Sequence, residues 1–262
     1  MRRAALVAVL LLCAAALAAP WLAPYGQAEG LLRDRLLPPG SAGHLLGTDG
    51  QGRDLLSRLI WGARPSLLCG VLPVGVALVL GTFLGVAAGL GPRAVENLIM
   101  RLLDVLYAFP AVLLAIAVAS ALGAGLTGTV VSLSVVLTPA VARVVLTEVA
   151  AIRNADFMEA ARASGARWHT IALRQVVPNV LPAAFVYCTA LVGLAVVYGA
   201  GMSFLGLGVA PPAAEWGSML NELRQYAFSA PLIAAVPAVV IFAVSVAFNV
   251  LGSGTGGSGG RP

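Results

Sequence analysis

Six long runs of apolar residues dominate this chain and limit it to folds that a lipid bilayer can surround. The runs cover residues 4–22, 66–90, 102–122, 127–146, 181–205 and 231–251. With 19 to 25 residues, each run matches the roughly 20 residues that an α-helix needs to cross the hydrocarbon core. With 60% hydrophobic and only 10% charged residues, a soluble domain of this length would leave much apolar surface in water. The sequence therefore predicts an all-α polytopic membrane protein with six transmembrane helices.

The first apolar run has to be distinguished from a signal peptide, because two arginines precede it. An Ala-Leu-Ala triplet that ends at Ala18 is similar to a cleavage site, but Pro20 follows it closely. Further spanning segments also come after this run. We therefore expect residues 1–22 to form an uncleaved first transmembrane helix.

Arginine placement indicates how the chain is oriented. All 16 basic residues are arginine, and ten of them lie in inner segments if the N-terminus is cytoplasmic. The positive-inside rule then predicts that both termini are cytoplasmic. Two soluble segments separate the spans, an outer one at 23–65 and a cytoplasmic loop at 147–178. The arginines form no dense basic stripe, so membrane lipid is an expected partner and nucleic acid is not.

The cytoplasmic loop has the pattern of two short helices joined at a glycine. Asp156, followed three residues later by Glu159, predicts a helix start that the glutamate caps. Gly165 suits the left-handed residue that ends a helix. A second short helix is expected over 166–176, and Pro178 is expected to stop it. The two helices would form an elbow on the membrane surface.

The same loop resembles a known family signature. Glu159-Ala160-Ala161, Gly165 and Pro178 have the spacing of the EAA motif of binding-protein-dependent ABC importer permeases. The tail of the motif departs from the family, because Gln and Val replace its usual Ile and Leu. The resemblance implies a coupling helix that docks on a separate ATP-hydrolysing subunit. The spacing alone also fits an ordinary capped helical hairpin.

The outer segment resembles one branch of that family, the dipeptide, oligopeptide and nickel permeases, and in particular their C-type subunit. The matching residues include His44, Gly47, Asp49, Arg53 and Asp54. A histidine beside acidic residues also suits a metal ligand, but the same histidine begins the signature in peptide permeases. We therefore assign no metal site to the outer segment.

Four residues in or beside the predicted spans are candidates for the translocation path, namely Asp104, Met202, Ser203 and Phe204. Asp104 has two alternative uses, as an anchor at the inner interface or as a cap of the third span. For Met202 and Phe204, core packing is the first expectation and a place on the path the second.

The resemblance implies a permease subunit of an ATP-driven importer of di- or oligopeptides, or of nickel chelates, in the bacterial inner membrane. Its expected partners are a second permease subunit, two ATP-binding subunits and an extracytoplasmic substrate-binding protein. Without any lysine the chain has no G-x-x-x-x-G-K-[ST] phosphate loop, so we expect neither enzyme activity nor a bound cofactor, and ATP is used by partner subunits.

The alternative function is a secondary transporter or channel that is not coupled to ATP. Such a protein predicts charged residues near the bilayer centre or repeated halves with broken helices. Neither feature is visible in the sequence. The expected domain organisation is an importer core at 66–252, followed by a flexible Gly/Ser tail at 253–262.

Overall fold

The computed structural model describes residues 2–253, and all of the longer regular elements in that range are helices. The prediction of an all-α protein is confirmed. The α-helices are α1 (Arg2–Leu17), α2 (Ala19–Leu22), α3 (Leu55–Leu90), α4 (Arg93–Tyr107), α5 (Ala111–Leu122), α6 (Leu126–Ile152), α7 (Asp156–Ala163), α8 (Trp168–Ile171), α9 (Val177–Phe204), α10 (Trp216–Leu223) and α11 (Pro231–Ser253). Apart from Ser253, the predicted Gly/Ser tail lies outside the described residues.

Four helical units of the described chain are long and apolar enough to cross a membrane. They are α3, α6, α11 and the unit Trp168–Phe204, which joins α8 to α9. The bent pair of α4 and α5 is a fifth if it counts as one span. Helix α1 has only 16 residues and leads into the short α2. The count of six spans therefore stays a prediction.

The third predicted span, 102–122, is not a single straight helix. Helix α4 extends to Tyr107, and α5 begins at Ala111 at an angle of 90° to it. Pro110 lies between them with extended backbone at φ −54° and ψ 125°. Proline disfavours helical backbone at the residue before it, which explains why α4 ends here. The chain therefore changes direction within the segment that was expected to span the membrane.

The predicted helix stop at Pro178 is wrong. Helix α8 continues through a π-helical turn, Ala172–Val176, directly into α9. In this wide turn the Val177 N–H donates to the carbonyl of Ala172, five residues earlier. Pro178 then occupies the first turn of α9, where the lack of an N–H is tolerated. The second arm of the elbow is thus the start of a long spanning unit and not a separate short helix.

Close approach between α3 and α6 organises the bundle. Three glycines spaced by four residues, here called the glycine ridge, lie along one face of α3. Gly81, Gly85 and Gly89 face, in that order, Val141, Val145 and Val149 of α6. A Cβ atom added to any of these glycines would lie within 2.8 Å of its valine. Helices in lipid attract each other mainly by van der Waals contact, so this close approach stabilises the pair.

The register of the glycine ridge also fixes how the connecting segments are distributed. Because residue numbers increase together on both helices, α3 and α6 run parallel. Their starts therefore share one end of the bundle, together with the segment 23–54 and the residues around α10, where the Gly125 N–H donates to the Leu207 carbonyl at 3.0 Å. Their ends, Leu90 and Ile152, share the opposite end with α7.

The glycine ridge gives a first prediction. In Gly85→Ala the new methyl group would lie 2.7 Å from the Ala142 carbonyl oxygen and from Val145 Cβ. Such overpacking costs roughly 1–3 kcal/mol, which exceeds the gain of about 1 kcal/mol in helix propensity. We expect a lower thermal midpoint for the detergent-solubilised protein.

The matched control is Gly75→Ala in the same helix, because no atom lies within 4 Å of a Cβ at that position. It should leave the thermal midpoint unchanged or raise it. Equal midpoints for the two variants would contradict the importance of close packing between α3 and α6.

Candidate functional site

The end of the bundle that holds the segment 23–54, predicted to be the outer end, contains a cluster of four charged side chains that neutralise one another, here called the outer ion cluster. Asp49 Oδ2 accepts hydrogen bonds of 2.6 Å from Arg53 Nε and from Arg58 Nη1. Glu222 Oε2 accepts from Arg58 Nη1 at 2.7 Å and also from Arg53 Nη2. Asp49, Arg53 and Arg58 are almost fully buried, with side-chain exposures of 1%, 4% and 0%. Two positive and two negative charges balance, as burial requires.

The outer ion cluster joins three separate parts of the chain. Asp49 and Arg53 belong to the part of the outer segment before α3 (23–54), Arg58 to the first turn of α3, and Glu222 to α10. Tyr226, just after α10, adds a second link because its hydroxyl accepts from Arg35 Nη2 at 3.1 Å. The outer segment is therefore attached to the end of α10 and to the turn after it by polar contacts.

The remaining residues of the predicted outer signature support the same structure. Asp54 caps α3, because its Oδ2 accepts from both the backbone N–H and the hydroxyl of Ser57 at 2.7 Å. His44 Nδ1 lies 3.0 Å from Asp54 Oδ1, and the Tyr25 ring stacks on the imidazole. Gly47 has φ +80°, and a Cβ there would overlap a backbone carbonyl. The structure thus brings all five predicted residues together, and His44 serves as a second partner of the cap.

Helix α10 is held at its start as well as at its end. Glu215 caps it, accepting from the N–H groups of Gly217 and Ser218 at 2.9 and 2.8 Å. The same carboxylate accepts from Ser66 Oγ of α3 at 2.9 Å. Trp216 is fully buried and donates its indole N–H to the Leu59 carbonyl at 3.0 Å. Both ends of α10 are therefore fixed to α3.

Sequence analysis did not assign Arg58, Glu215 or Glu222 to a site. The sequence placed Arg58 in the soluble segment 23–65, because the apolar run begins only at residue 66, whereas in the structure α3 already begins at Leu55. Glu222 lies 164 residues after Arg58 in the sequence, so only the folded chain identifies it as the partner of that arginine.

The four predicted path residues do not form one site. Met202 is 1% exposed and packs with Ala115, Ala119 and Leu133, so it is part of a small core. Phe204 is half-buried, and Ser203 is buried with a hydroxyl that finds no hydrogen-bond partner within residues 2–253. This group lies at the outer end of α9, apart from Asp104.

Asp104 lies one turn before the break between α4 and α5. It accepts a hydrogen bond of 2.5 Å from Arg143 Nη2 of α6. The Arg143 guanidinium also stacks over the Tyr107 ring, with its central carbon 4.3 Å from the ring centroid. Both charged side chains are about half exposed. Asp104 is thus part of a charged pair between two helices of the bundle.

At the opposite end of the bundle, α7 carries the EAA residues. Glu159 and Ala160 are exposed, whereas Met158 is fully buried and Ala161 is half-buried against the core. The predicted capping by Glu159 is wrong, because α7 has no side-chain cap and begins after Ala155 with backbone bonds alone. The backbone within this helix already satisfies its donors beyond the first turn.

The glycine of the elbow adopts the expected conformation. Gly165 has φ +75°, a left-handed value that residues with a Cβ rarely adopt. It separates α7 from α8, and Pro178 follows in the first turn of α9. The motif therefore consists of one short helix with an exposed face, a left-handed glycine and the first residues of a long apolar helical unit.

These features define a polytopic helical membrane protein with a charged outer end and an exposed short helix at the other end. Comparison with known families identifies it further. The family described as binding-protein-dependent transport system inner membrane component matches residues 81–252. The chain belongs to this family, so it is a multi-pass inner membrane protein and a permease subunit of an ABC importer.

Two curated relatives match almost the whole chain. The glutathione transport system permease protein GsiD of Pectobacterium atrosepticum is 41% identical over 246 residues, which are 94% of this chain and 82% of the relative. The di/tripeptide transport system permease protein DppC of Pseudomonas aeruginosa is 42% identical over 255 residues, which are 95% of this chain and 84% of the relative. Such relatives favour an importer permease over a secondary transporter or channel.

Two solved structures share the fold. An inward-facing form of the MetNI methionine ABC transporter aligns with a TM-score of 0.58 at 19% identity, covering 75% of this chain and 95% of that chain. An amino acid ABC transporter solved with histidines aligns with a TM-score of 0.56 at 16% identity, covering 76% and 92%. At these identities the likeness concerns the fold alone.

The outer ion cluster gives a second prediction. Asp49→Asn leaves two buried arginines with a single carboxylate partner, and breaking a buried pair in this way costs about 3–5 kcal/mol. We expect a large drop in the thermal midpoint of the solubilised protein and a loss of protease resistance between the outer segment and α10.

Asp34→Asn is the control, because it breaks the exposed pair with Arg33, whose N–O distance is 3.7 Å. Exposed pairs contribute about 0–1 kcal/mol, so the midpoint should hardly move. If the outer ion cluster did not stabilise the fold, the thermal midpoint would shift by the same small amount in both variants.

Proposed function

We propose that this chain is one of two permease subunits of an importer for short peptides, powered by two separate ATP-hydrolysing subunits and supplied by an extracytoplasmic binding protein. The observation that carries the proposal is the identity of 41–42% across about 94% of the chain with permeases named for glutathione and for di- and tripeptides. Glutathione is itself a tripeptide. Short peptides are therefore the cargo class that the relatives share, and nickel chelates are the alternative.

We propose a topology of six spans with both termini in the cytoplasm. The first span consists of α1 and α2, and the bent pair of α4 and α5 supplies the third. Two observations support this topology. Most arginines then lie inside, and the parallel register of α3 and α6 separates α7 from the outer segment by the full length of the bundle.

In this topology α7 is the cytoplasmic contact for an ATP-hydrolysing subunit. The exposed Ala160 leaves room for close approach by a partner, while the buried Met158 fixes α7 to the membrane core. The left-handed Gly165 connects α7 to the 37-residue unit Trp168–Phe204. A displacement of α7 then passes along one continuous helical unit to the outer end.

At the outer end the same unit reaches α10. Gly217 of α10 lies so close to α9 that a Cβ would be 2.2 Å from the Ala200 carbonyl oxygen. Closure of the two ATP-hydrolysing subunits would therefore move α9 and α10 together and open the outer side of the path. Rigid elements with two alternative packings are the usual basis of such coupling.

Substitution of the small residue on α7 tests the coupling role. In Ala160→Trp the indole occupies the space beside α7 into which the ATP-hydrolysing subunit would fit. We expect ATP-dependent uptake and co-purification of the ATP-hydrolysing subunit to fall at least about tenfold, as a loss of roughly 1.4 kcal/mol or more in contact energy implies. Membrane insertion should be normal.

Ala94→Trp is the control, because Ala94 is also exposed and lies near the same end of the bundle, on α4. It should assemble and transport like the parent protein. Normal assembly and uptake by Ala160→Trp would refute the coupling role, and so would cysteine labelling that places Gly165 on the outer face of the cell.

Uptake measurements test the cargo. Cells lacking this permease, complemented with the intact gene, are expected to regain uptake of labelled dialanine or glutathione, since these have the size and charged ends of short peptides. Restored uptake of labelled nickel without any restored peptide uptake would show that the peptide assignment is wrong. An ATPase-deficient partner subunit should abolish uptake and serves as the background control.

A further inference from the structure

A second site follows from the break between α4 and α5. The 90° bend leaves a cavity of about 220 Å³ beside α6 and α9. Four aromatic side chains line it together with leucine, valine and alanine, namely Tyr107, Phe109, Tyr187 and Tyr198. Drug-sized ligands occupy pockets of roughly 300–1,000 Å³, so this cavity suits one apolar side chain and not a whole peptide.

The charged pair of Arg143 and Asp104 lies next to this cavity. Tyr107 connects the two, since its ring lines the cavity and also stacks under the Arg143 guanidinium at 4.3 Å. Ala140, one turn before Arg143 on α6, is another lining residue. The aromatic cavity and the ion pair are therefore parts of one continuous surface.

Arg143 and Asp104 are charged side chains on largely apolar helical segments. Arg143 lies inside the apolar run 127–146, three residues before its end, which places it about 4.5 Å from the end of that run at 1.5 Å per residue. Its side chain is 43% exposed and that of Asp104 is 56% exposed, so the subunit itself does not bury them. Charged residues within spanning segments usually face a water-filled path or a partner chain and mark a functional site.

The two side chains have unused hydrogen-bonding capacity. Within residues 2–253, the guanidinium of Arg143 makes one hydrogen bond, to Oδ1 of Asp104. An arginine has five N–H donors arranged to bind a carboxylate in a bidentate manner. The second oxygen of Asp104 is an acceptor suited to an ammonium group. The pair is thus complementary to a molecule that carries one carboxylate and one ammonium group a short distance apart.

We propose that Arg143, Asp104 and the aromatic cavity form a transient binding site for zwitterionic short peptides inside the translocation path. The peptide carboxylate binds Arg143, its ammonium group binds Asp104, and one side chain enters the cavity. The surrounding rings also attract the ammonium group through their faces. Binding at a site within a path has to be weak enough for release, which agrees with a shallow cavity and half-exposed charges. This inference rests on the proposed function.

A photoreactive dipeptide tests the site without the binding protein. The probe is p-benzoylphenylalanyl-alanine, added to the purified complex of permeases and ATP-hydrolysing subunits in lipid nanodiscs, and the labelled residues are located by mass spectrometry. We expect the label on the proteolytic fragments of the permease that contain Tyr107 and Tyr187. Dialanine should compete, whereas its C-terminal amide at the same concentration should not, because it lacks the carboxylate for Arg143.

Variants of the pair complete the test. Arg143→Gln is expected to lower labelling at least about tenfold, Arg143→Lys to give an intermediate level, and Arg93→Gln, an exposed arginine of α4, to match the parent protein. Should Arg143→Gln fail to assemble, the comparison of dialanine and its amide as competitors on the parent complex still shows whether a carboxylate is needed for binding. Labelling elsewhere, no labelling, equal competition by the amide, or undiminished labelling of Arg143→Gln would each overturn the proposal.

The outcomes separate this site from the proposed function. Peptide uptake without labelling at the cavity would refute the site and leave the importer assignment intact. Loss of assembly in Arg143→Gln, combined with an unlabelled parent complex, would show that the pair belongs to an interface between permease subunits. Absence of any peptide uptake by the parent importer would instead refute the proposed cargo.

Discussion

The close contact between α3 and α6 is the interaction on which the rest of the structure depends. In a bilayer, apolar side chains gain little by leaving lipid for protein, so helices associate through dense van der Waals packing. The glycine ridge of Gly81, Gly85 and Gly89 removes the Cβ atoms that would keep the two helices apart. The same device recurs where Gly70 meets Val196 and where Gly193 meets Ser245. Helices α6 and α9 are in this way positioned around α3, and the connecting segments are assigned to one end or the other.

Charge plays the corresponding part at the end of the bundle predicted to be outside, where polar contacts join the helices. Asp49 and Glu222 together hold Arg53 and Arg58, and Glu215 holds the start of α10 against Ser66. A buried ion pair gives less net stability than its distances suggest, because both groups lose their hydration. Its main effect here is specificity. The contacts of all four charges hold the outer segment, α3 and α10 in this one arrangement.

The two departures from regular helix have complementary roles. The π-helical turn at Ala172–Val176 lets the chain continue past Pro178, so that the exposed α7 is joined to a unit that reaches the outer end. The break at Pro110 does the opposite, since it turns the chain and opens a cavity beside Arg143. The helical unit thus stays continuous through Pro178, whereas the chain is interrupted at Pro110. The difference lies in the preceding turn, which widens before Pro178 and ends before Pro110.

The sequence by itself determined the class of protein. The length of the apolar runs and the scarcity of charge are local properties, and they decide by themselves whether a helix can lie in a bilayer. The sequence also determined the family, through the spacing of Glu159, Ala160, Ala161 and Gly165 and through the outer signature. It did not determine how a proline acts, since the same residue ends a helix or enters its first turn according to the hydrogen bonds before it.

Only the tertiary structure decided which charges pair. Arg58 and Glu222 are 164 residues apart, and Asp104 and Arg143 are 39 apart. Pairings at such separations depend on how helices are placed side by side. Close packing at the glycines sets this placement, and no local sequence pattern predicts it. For the same reason Met202 proved to be a core residue, while Arg143, which was assigned no role from the sequence, became the centre of the proposed peptide site.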